Sequence, residues 1–272
     1  MFTYGLFLLF LFWKAMAFLN FAHKINIHKM KICIVQTSAL KGDISGNITK
    51  HLQFIELAVT NGADMIAFPE LSITGYEPTL AAELATTATD DRLDCFQKLS
   101  NNHRITICVG LPTRLEQQLL ISMIIFQPNK ERLTYSKQYL YPTEVDYFSP
   151  GTRPVYLHLD DDMIIAPAIC YELSVPQHSE NAHTNGASVY FASVLNSVSG
   201  VDNDLKRLAD IARNYNMTTF MANYVGESGG YACAGKSSVW YPDGTLAAQL
   251  DGQNEGILIY DTKTKTAFQK QL

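Results

Sequence analysis

From residue 30 onwards, apolar and polar positions follow two periods, one typical of helices and one typical of strands. Residues 47–61 place apolar side chains at i, i+4, i+7, i+10 and i+11 counted from Ile48, which predicts an amphipathic helix. Gly62 follows at a position suited to ending it, and residues 203–216 predict a second amphipathic helix. Short apolar runs predict strands at residues 32–35, 65–68, 105–109, 219–223, 238–241 and 256–260.

Two further pairs of apolar runs lie close enough in sequence to form hairpins. The first pair encloses Pro128, Asn129 and Lys130, and the second encloses three aspartates at residues 160–162 that predict a solvated acidic turn. Alternating strands and helices, combined with hairpins, predict an α/β fold with a mixed sheet covered by helices. The paired runs are residues 119–126 with 133–136, and residues 155–159 with 163–169.

Residues 1–29 do not follow this pattern, and we read them as an extension to a single domain at residues 30–272. An apolar stretch at residues 5–13 is interrupted by Lys14, which does not favour a spanning helix of about 20 apolar residues. An Ala-Met-Ala sequence at residues 15–17 resembles a signal-peptide cleavage site, but no Lys or Arg precedes the apolar stretch. The extension is therefore interpreted as a mis-assigned start, a signal peptide or a membrane anchor.

The composition of the 272 residues is that of an ordinary globular protein, with 47% hydrophobic and 17% charged residues. The formal net charge of −5 and the lack of a Lys/Arg cluster argue against a nucleic-acid partner. Five cysteines without zinc-site spacing favour free thiols in a reducing, cytoplasmic compartment and predict no metal and no cofactor. We expect most of these thiols to be buried and inert. They are Cys33, Cys95, Cys108, Cys170 and Cys233.

Three predicted strands are followed directly by a reactive side chain. Pro69 ends one strand and holds Glu70 where partial desolvation raises a carboxyl pKa towards neutrality, as a general base requires. Lys137 follows another, and an ammonium at that position stabilises a developing oxyanion. Cys170 ends the apolar sequence Ile-Ala-Pro-Ala-Ile, and the backbone N–H of Tyr171 is a donor that can point at an oxyanion formed there.

Each of these residues also has a structural interpretation when it is taken alone. Glu70 is then a surface carboxylate, Lys137 a solvated lysine and Cys170 a small core hydrophobe. Their common position at strand ends favours chemistry, because ligands of α/β folds collect there. A cation lowers the pKa of a neighbouring thiol, and we expect Lys137 to supply that charge while Glu70 takes the proton.

The chain order Glu, Lys, Cys and the sequences around these residues resemble the nitrilase superfamily of carbon–nitrogen hydrolases, whose catalytic triad is Glu-Lys-Cys. The specific matches are FPELSITGY around Glu70, YSKQYLYPTE around Lys137 and ICYELSVP around Cys170. The resemblance extends over roughly residues 31 to 265. Weaker support comes from Asn223 and from the GKSS sequence at residues 235–238, which precedes a Pro-Asp-Gly turn at residues 242–244.

The resemblance implies a four-layer α-β-β-α sandwich that pairs into a homodimer or a higher homo-oligomer. It also implies a thioester acyl-enzyme at Cys170, with Glu70 as general base and then general acid, and Lys137 stabilising the tetrahedral intermediate. Glu144 matches a second family glutamate that positions the substrate and the lysine.

The sequence departs from the family pattern just after the cysteine. Many members of the amidase branch carry an arginine and a glutamate where this chain has Ser174 and Gln177. Glu172 therefore lacks its usual partner, although a buried carboxylate needs one. Arg153 or Lys236 could serve, and the sequence does not distinguish them. These changes affect the expected substrate more than the triad.

Two histidines near Cys170 offer a different interpretation of the thiol. His178 or His183 would act as the base of a Cys–His pair, as in papain-like proteases. The polar sequence around both histidines is typical of the start of a helix and favours solvated or structural roles. We expect the cysteines other than Cys170 to be core residues.

The preferred interpretation is a metal-free thiol amidohydrolase that cleaves the C–N bond of a small linear amide or N-carbamoyl compound. A nitrilase acting on a small nitrile is the enzymatic alternative. A non-catalytic binding protein on the same fold is the alternative from another class, and the intact Glu70, Lys137 and Cys170 argue against it. A membrane acyltransferase of the superfamily would need several spanning helices, and the chain offers one doubtful segment.

Overall fold

A computed structural model of the chain describes residues 30–159 and 163–272. The extension at residues 1–29 and the acidic turn predicted at residues 160–162 lie outside the described residues. Within the described ranges, no helix has the length and apolar character needed to cross a membrane.

Seven of the described strands form a first mixed sheet. Its three central strands are parallel, and the strands outside them pair antiparallel. In spatial order the strands are β15 (Thr266–Gln271), β14 (Gly256–Asp261), β1 (Lys31–Gln36), β2 (Met65–Ala67), β3 (Thr106–Leu115), β4 (Gln118–Phe126) and β5 (Leu133–Ser136).

A second mixed sheet contains six of the described strands and again has three parallel strands within it. A separate two-stranded hairpin consists of β10 (Val225–Ser228) and β11 (Tyr231–Ala234). In spatial order the strands of the second sheet are β13 (Leu246–Gln249), β12 (Ser238–Trp240), β9 (Thr218–Ala222), β8 (Val189–Ser193), β7 (Ile164–Ile169) and β6 (Leu157–His158).

Three hydrophobic clusters hold the sheets and helices in layers. One cluster fills the space between the two sheets and includes Ile34 from the first sheet and Phe191 from the second. The other two clusters cover the outer faces, one under α1 (Ile44–Thr60) and α3 (Asp94–His103) and the other under α4 (Pro176–Thr184) and α5 (Val201–Tyr215). The four-layer α-β-β-α sandwich is therefore confirmed. A further short helix, α2 (Ala81–Leu84), lies between α1 and α3 in the chain.

Helix α1 confirms the predicted helix but buries a more polar face than its apolar period indicates. Asp43 caps it by accepting a hydrogen bond from the backbone N–H of Gly46, and Gly62 follows its end with a φ of +74°. The buried side chain of Asn47 forms hydrogen bonds with three backbone groups. The buried side chain of His51 stacks on a phenylalanine ring and forms a hydrogen bond with a serine. The spacing of hydrophobic residues within a helix cannot indicate partners that lie far away in the sequence.

Most of the elements that sequence periodicity missed are short, polar or at an edge, whereas β8 is a buried strand inside the second sheet. Helix α3 is mostly polar and buries only Phe96 and Ser100, so it presents no broad apolar face. The edge strand β15 is exposed over much of its length. The other helices and strands not predicted are α2, β8, the β10–β11 hairpin and β13.

Both sheets contribute to the position of the segment that carries Glu70. The Ser193 hydroxyl of the second sheet donates to the Phe68 carbonyl at 2.7 Å, and the Tyr224 hydroxyl donates to the Glu70 carbonyl at 2.6 Å. On β3, a Cβ added to Gly110 would overlap the backbone nitrogen of Leu71. This close backbone approach requires glycine and fixes Glu70 at the end of β2.

Candidate active site

Cys170 lies directly after β7, at the first position of a 3-10 helix, Cys170–Ser174. Its φ is +46°, which is a strained value for a residue with a side chain. A sharp, strained turn from strand to helix is a known way to present a nucleophile at the end of a sheet. The sequence predicts the position of this cysteine but contains no signal for its backbone strain.

Glu70 and Lys137 meet in the interior, although they lie 67 positions apart in the chain. The Lys137 ammonium donates to Glu70 Oε1 at 2.7 Å and to Glu144 Oε1 at 2.8 Å, and all three side chains are buried. The second oxygen, Glu70 Oε2, is buried without a hydrogen-bond partner among the described residues. The Cys170 thiol is close enough to interact with the Glu70 carboxyl group. The structure therefore brings the three predicted residues together.

Glu144 is held from three sides. Besides Lys137, its Oε1 accepts a hydrogen bond from the Tyr76 hydroxyl at 2.8 Å, and its Oε2 accepts one from the backbone N–H of Tyr141 at 2.7 Å. Tyr76 belongs to the sequence that carries Glu70, so this bond joins two of the three motif segments. The sequence analysis did not identify Tyr76 as a site residue, because an aromatic next to a glycine gives no indication of its distant partner.

Two carboxylates surround a single ammonium in this interior, which leaves one negative charge in excess. Burial raises the pKa of Glu70 to about 7, with the Lys137 charge opposing the shift and Glu144 adding to it. Burial and the Glu70 charge also raise the pKa of the Cys170 thiol well above its usual range, although Lys137 acts in the opposite direction. Burial alone would lower the pKa of Lys137, but the neighbouring acidic groups raise it overall.

The expected thiolate stabilised by Lys137 is therefore corrected. The resting thiol of Cys170 is neutral at physiological pH, because burial and the Glu70 charge raise its pKa by more than the ammonium lowers it. Glu70, by contrast, titrates near neutrality and is suited to exchanging a proton with a reacting group.

Glu172 connects the segments of Cys170 and Lys137. Its Oε2 accepts the backbone N–H of Ile169 at 2.7 Å, just before the cysteine. Its Oε1 accepts the backbone N–H of Gln138 at 2.6 Å, just after the lysine. This fully buried carboxylate therefore fixes the distance between two strand ends.

The predicted partners of Glu172, Arg153 or Lys236, are both wrong. Lys236 instead pairs with Asp202 at 3.0 Å. The Tyr135 hydroxyl donates to Glu172 Oε2 at 2.7 Å, so a hydroxyl and backbone N–H groups satisfy the carboxylate in place of a cation.

His178 supports Tyr135 from the other side. Its role is structural, which is one of the two roles, solvated or structural, expected for it. Its Nε2 lies 2.8 Å from the Tyr135 hydroxyl, and its Nδ1 lies 2.7 Å from the hydroxyl of Tyr190. Burial lowers the pKa of His178, with Glu172 opposing the shift. Since Tyr135 donates its proton to Glu172, neutral His178 donates from Nε2 and accepts from Tyr190.

Cys170 opens into a cavity of about 290 Å³. Cys170, Tyr171 and Glu144 all line this cavity, whereas Glu70 and Lys137 lie buried beside it. No group of three or more His, Cys, Asp or Glu side chains in residues 30–159 and 163–272 is arranged to hold a metal ion. Ser174, which the sequence analysis connected with the choice of substrate, also lines the cavity. The sequence analysis did not identify these further lining residues: Tyr76, Tyr141, Leu195, Asn196, Ser197, Gly200, Asn203, Asp204, Arg207 and Tyr231.

The other four cysteines lie outside the cavity lining. Cys33, Cys108 and Cys233 are buried, as expected. Cys95 on α3 is partly exposed, so the expectation of a core position is wrong for this residue. Its short polar helix leaves one side of the thiol open to solvent.

Residues 31–269 match the family model described as carbon-nitrogen hydrolase. The chain belongs to this family. The match covers nearly all of the described residues and confirms the resemblance to the nitrilase superfamily. The protein is therefore an enzyme of the carbon–nitrogen hydrolase class.

Curated relatives of this carbon–nitrogen hydrolase include two amidases. A 2-oxoglutaramate amidase from Bacillus subtilis is 29% identical over 236 residues, which cover 85% of this chain and 89% of that protein. An (R)-stereoselective amidase from a Pseudomonas species is 26% identical over 227 residues, covering 82% and 79% respectively. The solved structure of a cysteine-to-alanine mutant of an amidase from Nesterenkonia sp. AN1, in complex with butyramide, shares the fold with a TM-score of 0.78. The two chains are 24% identical, and the match covers 87% of this chain and 92% of that chain.

Glu172→Gln tests the link between the Cys170 and Lys137 segments. The amide presents an NH₂ group to one of the backbone N–H donors, which leaves a buried donor unsatisfied at a cost of about 1–3 kcal/mol. We expect kcat to fall roughly 10-fold or more while KM changes less, because the bond-forming groups move relative to one another. Steady-state kinetics and thermal unfolding measure both effects.

The matched control for this substitution is Glu180→Gln on α4, where the carboxylate is exposed. That variant should keep the kcat and the unfolding temperature of the wild type. Equal kcat values for Glu172→Gln and Glu180→Gln would contradict the linking role.

Proposed function

We propose that this carbon–nitrogen hydrolase is a thiol-dependent amidohydrolase, with Cys170 as nucleophile, Glu70 as proton carrier and Lys137 as the stabilising cation. The observation that carries the proposal is the contact set around Glu70. Its Oε1 is held by Lys137 at 2.7 Å, its Oε2 has no hydrogen-bond partner among the described residues, and the Cys170 thiol interacts with the same carboxyl group.

In the first half-reaction, Cys170 Sγ attacks the amide carbonyl while its proton passes to Glu70. The carbonyl oxygen becomes an oxyanion, which the Lys137 ammonium and the backbone N–H of Tyr171 stabilise. The C–N bond then breaks, Glu70 returns the proton to the departing nitrogen, and ammonia or an amine leaves. The product that remains is a thioester at Cys170.

In the second half-reaction, water attacks the thioester and gives up a proton to Glu70. The Cys170–carbonyl bond breaks, the carboxylic acid leaves, and the proton returns from Glu70 to the thiol. A pKa near 7 suits Glu70 to both directions of this transfer, since neither its acid nor its base form is strongly favoured at neutral pH. Glu144 holds Lys137 in place from the opposite side and so positions the cation.

An amide substrate is favoured for three reasons. The relatives described above include amidases that act on small amides or are solved with one, and the cavity of about 290 Å³ is the size of a small molecule. The group that leaves must accept a proton, which Glu70 supplies. N-carbamoyl compounds present the same C–N bond, and a nitrile is the alternative substrate.

The remaining expectations belong to the same proposal. The domain comprises residues 30–272, of which the family model matches 31–269. Five free cysteines support a reducing, cytoplasmic environment. A homodimer follows from the resemblance, and light scattering on the purified protein tests it.

The proposed reaction predicts that hydroxylamine competes with water for the thioester. Purified protein with a short amide should release ammonia, and added hydroxylamine should yield the hydroxamate in place of the acid, because the acyl group is activated. Cys170→Ala should abolish both products. Cys95→Ala, which removes the other partly exposed thiol, should retain both.

No product from a panel of short amides, carbamoyl compounds and nitriles, with Cys170 reduced and reactive, would contradict the proposed function. Product from the nitriles alone would replace the amidase with the nitrilase alternative.

The pKa of Glu70 predicts the acid limb of the pH profile. Glu70 must be ionised to accept a proton, so kcat/KM should rise with pH through about 7 and then level off. Glu144→Gln removes a charge that raises this pKa, so the acid limb should move to lower pH. Glu180→Gln is the control that should leave the limb in place, and a limb that stays fixed in Glu144→Gln would contradict the assignment.

A further inference from the structure

The cavity beside Cys170 is lined by three charged side chains, of which one, Arg207, has free N–H donors. Glu144 is fully committed to Lys137, Tyr76 and a backbone N–H. Asp204 and Arg207 pair with each other one turn apart on α5, at 2.6 Å. Arg207 is therefore the charged group of this lining that can donate further hydrogen bonds to a ligand.

The geometry of this pair leaves Arg207 able to bind an anion. Asp204 is 8% exposed, and its Oδ1 engages only Nη1 of the guanidinium. The other N–H donors of Arg207 have no partner among the described residues, and its side chain is 44% exposed. A guanidinium fixed at one nitrogen and free at the others presents a planar set of donors that matches a carboxylate.

A second polar group of the cavity lining is the side-chain amide of Asn196. Asn196 is 7% exposed, and the only contact that its side chain makes in the described residues is from Nδ2 to the sulfur of Met221 at 3.5 Å. Its backbone is held firmly, since its N–H donates to Asn223 Oδ1 at 2.8 Å. Because a thioether sulfur is a weak acceptor, this amide can form stronger hydrogen bonds with a ligand in the cavity.

The charged pair lies close to the nucleophile. The Asp204 carboxylate contributes to the raised pKa of the Cys170 thiol, so its charge is felt at the sulfur. A small molecule of the cavity's size can therefore contact Cys170 and Arg207 together.

We propose that the substrate is an amide whose acyl chain ends in a carboxylate, bound by Arg207 with Asn196 contacting the chain. The substrate class is thus the monoamides of short dicarboxylic acids. This inference rests on the proposed function, because it assigns the amide end to Cys170. Asp204 acts as a positioning residue that holds Arg207 by one nitrogen.

A cationic substrate is disfavoured by the same contacts. The carboxylate that would have to bind it, Asp204, is buried and already engaged by Arg207. Arg207 holds Asp204 Oδ1, so an ammonium group bound at Oδ2 would lie beside the guanidinium and be repelled by its like charge. An anion meets neither obstacle, since the free guanidinium donors face no competing group.

The test uses three amides of equal chain length that differ only at the far end: glutaric acid monoamide, pentanamide and 4-aminobutanamide. The full-length wild-type enzyme should have the highest kcat/KM for the anionic monoamide and the lowest for the cationic amide. In Arg207→Met, the ratio of kcat/KM between the anionic and neutral amides should fall roughly 10-fold to 100-fold, because a charge-assisted pair is lost.

The chain provides a matched control on the same helix. Arg213 pairs with Asp210 at 3.0 Å with the same spacing as Arg207 and Asp204, but it does not line the cavity. Arg213→Met should leave the ratio between the anionic and neutral amides unchanged. Arg207→Lys should recover part of the ratio, since it restores the charge without the planar donors.

Calorimetric binding of glutaric acid monoamide to Cys170→Ala, with and without Arg207→Met, separates this inference from the proposed function. Binding that depends on Arg207 supports the inference even where no amide is hydrolysed. Hydrolysis of pentanamide in preference to the monoamide, or an equal fall for both amides in Arg207→Met, would overturn the inference and leave the amidohydrolase standing. Preference for 4-aminobutanamide would also overturn it.

Discussion

A fully buried ammonium between two carboxylates is the constraint on which the site depends. Removing Lys137 from water costs several kcal/mol, and only close carboxylates with good geometry offset that cost. Glu70 and Glu144 supply them at 2.7 and 2.8 Å. The carboxylates that hold the lysine are buried with it, and burial raises the pKa of Glu70 to about 7 although the Lys137 charge opposes the shift. Burial and the Glu70 charge also keep the Cys170 thiol protonated, again against the effect of Lys137. Proton transfer near neutral pH therefore follows from how the lysine is buried.

The fold makes this arrangement possible because it brings the ends of strands from two sheets together. Glu70 follows a parallel strand of the first sheet, and Cys170 follows a parallel strand of the second. Hydrogen bonds from Ser193 and Tyr224 cross between the sheets and hold the Glu70 segment. Glu172 then joins the cysteine segment to the lysine segment through backbone N–H groups. Each reactive side chain is thus held by a support that is distant in sequence.

Much of the fold and the core of the site could be predicted because their signals are local. Apolar runs predict the strands before Glu70, Lys137 and Cys170, and each reactive residue follows its strand closely in the sequence. The supports could not be predicted in this way. Nothing near Tyr135 indicates that it satisfies Glu172, and the sequence instead suggested a distant cation. The strained φ of Cys170 is a backbone property, and the exposed guanidinium of Arg207 looks like an ordinary residue on the surface of a helix.

Before the reaction the proton lies on Cys170, and Glu70 removes it during the attack. The most direct measurement is the ultraviolet absorbance of the thiolate, taken as the difference between wild type and Cys170→Ser during a titration from about pH 5 to about pH 9. Because burial and the Glu70 charge raise the pKa of the thiol, the account predicts no thiolate from Cys170 in the neutral part of this range. A thiolate already formed at or below neutral pH would contradict it and would identify a stored thiolate–ammonium pair with Lys137 instead.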